Sequence, residues 1–112
     1  MEQNPYAYTI EKLTTTLECL ATNPGDARQR LTDTFLCFHM LTENDFPEEL
    51  RKEWRQVIHE MNKFGPVMNI KGEIIRTSVE NTMRRIRNAT ASKIAKRIYA
   101  LYWAISTNVP YQ

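Results

Sequence analysis

From Tyr6 to Ile105 apolar residues return every three or four positions, and nowhere do they alternate strictly with polar ones over the length of a strand. A period near 3.6 lines such residues along one side of a helix, whereas a half-buried strand needs a period of two. The chain is therefore expected to be all-α. Tyr6, Ile10, Leu13, Leu17 and Leu20 form the first one-sided stripe, opened by Asn4-Pro5 and closed by Asn23-Pro24-Gly25. The same tripeptide opens a second helix, with Asn23 as its cap and Asp26 in the first turn, near the positive end of the dipole. That helix is expected to reach about Leu41. Its second half, from Phe35 onward, is apolar nearly all the way round, which predicts a central helix covered on more than one side.

Asp45-Phe46-Pro47-Glu48 reads as a capping pattern with proline in the first turn. It launches a third helix with Leu50, Trp54, Val57, Ile58, Met61 and Phe64 inward, stopped by Gly65-Pro66. Residues 66–72 make the longest connector and are apolar for a loop; Val67, Met68 and Ile70 are expected to fold down on the core, unless they order on a partner. The fourth helix carries Ile75, Val79, Met83 and Ile86 inward, and the fifth carries Ala91, Ile94, Ile98, Leu101 and Ile105. Asn88 to Thr90 separates the two. Because no Gly or Pro enforces the break, one helix over 73–106 is a second solution. Short connections favour antiparallel neighbours, and 112 residues suit one core, so the expected architecture is a single-domain, up-and-down bundle of four to five helices.

Charge is divided unevenly along this frame. Residues 1–70 hold 11 acidic and 7 basic side chains, residues 71–112 hold 2 and 8, so segments of −4 and +6 are concealed within a net +2. Arg76, Glu80, Arg84 and Arg87 fall in one sector of the fourth helix, beside its stripe. Lys93, Lys96 and Arg97 point away from the stripe of the fifth, and Ser92, Lys96, Tyr99 and Trp103 form a line on its flank. The candidate partner-binding set is thus Arg76, Arg84, Arg87, Lys93, Lys96, Arg97, Tyr99 and Trp103. Guanidinium groups engage phosphates or acidic protein surfaces, and Trp, Tyr and Arg are the favoured anchors of protein interfaces. A lysine beside aromatic rings also suits a nucleic-acid backbone with stacked bases. In the remaining reading, Tyr99 and Trp103 cover another helix of the same bundle.

A sequence pI of 8.6 and an acidic first segment fit a protein partner, or association of acidic half on basic half, better than a domain living on nucleic acid. Catalysis finds little support. The carboxylate pairs Glu48-Glu49 and Glu11 with Glu18 read as structural, those near helix starts through dipole and capping effects, and neither His39 nor His59 is accompanied by an obvious nucleophile or second metal ligand. There is no Gly-rich phosphate loop, nucleophile elbow or HExxH pattern. No cofactor, metal or small-molecule substrate is expected. Cys19 and Cys37 read as free thiols of a reducing compartment, and Tyr8 and Cys19, opposite the inner stripe of the first helix, offer a second contact face. Without a secretory pattern or an apolar run near the roughly 20 residues of a membrane span, a cytoplasmic location off the membrane is expected. The expectation for function is a non-enzymatic helical interaction or accessory protein docking through its basic, aromatic C-terminal face, as a homo-oligomer or a subunit of a larger complex. The alternative is a nucleic-acid-binding accessory protein using the same face.

Overall fold

Helices α1 (Ala7–Thr22), α2 (Ala27–Phe38), α3 (Arg51–Met61), α4 (Ser78–Arg85) and α5 (Asn88–Thr107) dominate the computed structural model, which describes residues 4–107. They form an all-α bundle. α5 packs on α1, α2 and α3, while α2 also meets α1 and α4, so α2 and α5 hold the middle of the assembly. Two short 3-10 turns, Glu43–Asp45 and Glu48–Leu50, lead into α3, and a small antiparallel hairpin, β1 (Val67–Met68) with β2 (Ile74–Arg76), separates α3 from α4.

The inward stripes of the sequence meet in one core. Leu13, Leu31, Phe38, Val57, Ile98 and Ile105 are essentially inaccessible to water. Trp54 anchors the core, stacked on Phe46 with ring centroids 4.8 Å apart and meeting Phe38 edge-on at 5.7 Å. The buried side chains of Thr9, Thr16, Thr34, Asn81 and Thr82 each form a hydrogen bond. Thr9, 2% exposed, donates its hydroxyl to the Asp45 carbonyl at 2.7 Å and so fixes α1 to the turn that precedes α3.

Several boundaries differ from the sequence expectation for identifiable reasons. Asp26 itself, not Asn23, caps α2, accepting the Gln29 N–H at 3.0 Å. α2 ends at Phe38 rather than near Leu41, because the chain turns back to bury Leu41 while Leu36 and Met40 stay exposed. Within the apolar run Phe35, Cys37, Phe38 and Leu41 are at least half covered, and Leu36, His39 and Met40 are exposed. Asp45 belongs to the preceding turn, where its carboxylate and the Thr42 backbone and side chain form a reciprocal capping box. Helix α3 stops at Met61, and Phe64 lies outside it with the Arg85 guanidinium 4.4 Å from its ring centre.

The greatest departure is at residues 66–76. The apolar connector does not fold onto the core: Met68 and Ile74 are more than half exposed, Ile70 is wholly so, and Ile75 lies on β2 at 64% exposure rather than inside the fourth helix. Asn69 holds the hairpin turn, its side-chain oxygen accepting the N–H groups of Lys71 and Glu73. Thr77 and Glu80 then form a reciprocal capping box that starts α4 at Ser78. A single helix over 73–106 is excluded, because Ile86 has extended backbone (ψ 165°) and α5 begins anew at Asn88.

Candidate functional site

Helix α5 buries Ala91, Ile94, Ile98, Leu101 and Ile105, and this fixes the direction of every other side chain on it. Ser92, Lys96, Tyr99 and Trp103, spaced four, three and four residues apart, run along the side facing away from that stripe. Tyr99 is 51% and Trp103 50% exposed. The two rings lie edge to face, centroids 6.3 Å apart and planes at 84°, an arrangement aromatic pairs favour. Neither belongs to the buried core or to the partly buried residues packed against it, so the core reading of these residues is corrected. Lys93 and Lys96, both exposed, form no ion pair among the described residues. Arg97 is partly engaged, its Nε lying 3.6 Å from the Glu60 carboxylate on α3.

The remaining candidates lie elsewhere. Arg76 is on β2 rather than on a helix, and Arg87 stands exposed at the junction of α4 and α5. The expected sector of one helix is thus divided between three elements. Arg76 and Arg84 are nevertheless brought to one cleft of about 710 Å³, where the hairpin and α4 face the first turn of α2 and its Arg28. Glu80 stands between the two arginines. Its carboxyl is held below the usual range first by the Thr77 backbone N–H, then by the Thr77 hydroxyl, with Arg76 and Arg84 adding to the effect. Arg28 bonds to Asp26 at 3.2 Å and to the Ile86 carbonyl at 3.3 Å, bracing the α4–α5 junction against the start of α2. The Asp26 carboxyl is likewise lowered, chiefly by the Gln29 N–H it caps.

Two features were missed from the sequence. One is Arg28, isolated from the basic segment and recognisable only once the fold closes the cleft. The other is the apolar surface that the hairpin adds, with Leu36 and Ile74 exposed along a groove between α2 and β2. His39 and His59 line a separate groove with Glu43 and Arg55, which pair with each other at 3.2 Å. Cys19 is not on the open face expected for it but half-buried against Cys37. Among the described residues no three side chains of His, Cys, Asp or Glu converge as a metal site, and no helix is long and apolar enough to cross a membrane. No protein-family model matches the chain, and no curated protein or solved structure matches it significantly.

Proposed function

We propose that this chain is a helical interaction protein that holds an acidic protein surface against the outer face of α5. Trp103 and Tyr99 are the anchors of this reading, and Lys93 and Lys96 supply the charge. The observation that carries it is a large aromatic pair left half exposed on a rigid helix, on the side its own core does not use. Rings so placed offer apolar area with little conformational entropy left to lose on binding, and neighbouring lysines speed the approach of an acidic partner. The charge difference between the chain's own segments makes a second copy one partner of this kind.

Affinity capture with the intact chain and with a Lys96→Glu/Tyr99→Ala/Trp103→Ala variant as parallel baits tests the proposal. The expected result is a stoichiometric acidic protein retained by the first bait and lost by the second at unchanged helicity, or concentration-dependent self-association with the same sensitivity. Equal behaviour of the two baits overturns it.

A second reading, nucleic-acid binding, draws support from Arg28, Arg76 and Arg84 around one cleft. Its test is binding of a fluorescent single-stranded oligonucleotide across a salt series. Several phosphate contacts would give a steep fall in affinity with salt, and a flat response would remove the reading.

A further inference from the structure

The sulfur atoms of Cys19 and Cys37 lie 3.7 Å apart across the contact between α1 and α2. This is a pair rather than two isolated thiols, since helices that already pack on one another hold both side chains face to face. Both residues are half-buried, so a small reagent can reach them while bulk solvent does not surround them. Two thiols in contact are one side-chain adjustment from a covalent bond, which needs the sulfurs about 2.05 Å apart. Neither participates in the surface assigned to α5, and no third ligand type converges on them to form a metal site among the described residues.

We propose that Cys19 and Cys37 are a modification site: they close a reversible intramolecular disulfide that joins α1 to α2, with oxidised glutathione or a similar small disulfide as oxidant. In the first step the Cys19 thiolate attacks one sulfur of the oxidant, breaking its S–S bond, forming a mixed disulfide and expelling one glutathione thiolate. The Cys37 thiolate then attacks the Cys19 sulfur of that mixed disulfide, forming the protein S–S bond and expelling the second glutathione. The two cysteines are oxidised by two electrons, the oxidant is reduced to two thiols, and the two protons lost from the cysteines end on the glutathiones. Burial, followed by the neighbouring Cys19, pushes the Cys37 thiol up, with Lys12 opposing, which leaves less thiolate at Cys37 for the first attack on the oxidant. The bond closes a loop across 18 residues of separation, including the α1–α2 turn, and so restricts the unfolded chain.

The full chain is equilibrated in glutathione buffers of increasing oxidised fraction, quenched with acid, alkylated with N-ethylmaleimide and weighed intact. A monomer about two mass units lighter that takes up no maleimide is expected, with a thermal midpoint raised on the order of 10 °C and restored by dithiothreitol. Cys37→Ser should stop at the Cys19–glutathione adduct, and neither Cys37→Ser nor Cys19→Ser should show the two-unit loss of mass or the shift. Two alkylated thiols in the most oxidising buffer, glutathione adducts that never resolve, or disulfide-linked dimers alone would each overturn the proposal. The mass measurement on the unmodified sequence decides the matter even if a serine variant folds poorly.

Discussion

Asn81 donates from its side-chain amide to the carbonyl of Gly65 at 3.0 Å, fastening α4 to the chain that leaves α3. Beside it, the Thr82 hydroxyl accepts the Phe64 N–H at 3.1 Å. Asn81 is 7% and Thr82 0% exposed, so the side-chain end of each contact is buried. The backbone after Met61 has left its helix, and two side chains of α4 supply the partners it lacks. The hairpin and the arginine cleft both depend on this junction.

Replacing Thr82 by valine keeps the shape of the side chain and removes the acceptor. The Phe64 N–H then loses its partner in a part-buried contact, a loss of about 1 kcal/mol. Urea denaturation of T82V should show a lower midpoint with the slope unchanged. Asn81→Leu should behave alike, because it strands the Gly65 carbonyl.

Gly25 turns the chain from α1 into α2 with φ +98°, where a Cβ would stand 2.9 Å from that of Gln29. Gly25→Ala therefore combines backbone strain with a side-chain collision in the first turn of α2. A loss on the order of 1–2 kcal/mol is expected, read as a lower thermal midpoint. An alanine protein as stable as the parent would mean that the turn adopts another conformation.

Helix class was legible because Leu13, Trp54, Ile98 and their like repeat at helical spacing and are indeed inside. Pattern alone misled at Met68, Ile70, Ile74 and Ile75, since apolar content was read as burial. The signal available there was turn chemistry: Asn69 and Gly72 bracket a tight reversal, and Gly72 takes φ +82°. The break after α4 was read at Asn88 to Thr90 but falls at Ile86, which is apolar and which no Gly or Pro marks; the Arg28 contact to its carbonyl comes from 58 residues away. The meeting of Cys19 with Cys37 was equally hidden, because it depends on how α1 and α2 are rotated about their axes. Tyr99 and Trp103 were selected as candidates from their spacing, and only the position of the core stripe shows which side of α5 they occupy.

Acid should weaken α4 in a way that one substitution can isolate. The Glu80 carboxyl is lowered beneath its ordinary value of 4.5 by the bonds to Thr77 and by Arg76 and Arg84. A folded pKa below the unfolded one means that the charged carboxylate stabilises the native state fully above the unfolded value. The contribution disappears as pH falls through the folded pKa. Glu80→Gln should accordingly melt below the parent at pH 7, and the two midpoints should converge as pH drops through the region under 4.5. A difference that stays constant to pH 3 would assign the effect to shape and not to charge.

The two tryptophans offer opposed predictions. Trp54 is 3% exposed and packed between Phe38 and Phe46, so Trp54→Ala opens a core cavity and should cost about 3–5 kcal/mol, enough to unfold a marginally stable domain. Trp103 is 50% exposed, on the side of α5 that the core leaves free. Trp103→Ala should therefore change stability by no more than about 0.5 kcal/mol. Acrylamide quenching separates the two residues without unfolding anything: Trp103→Phe should remove the readily quenched emission, and Trp54→Phe should leave it in place. The emission from Trp103 should become protected when an acidic partner is added. Strong quenching that persists in Trp103→Phe would mean that α5 presents a different face to solvent, and with it the docking surface would be lost.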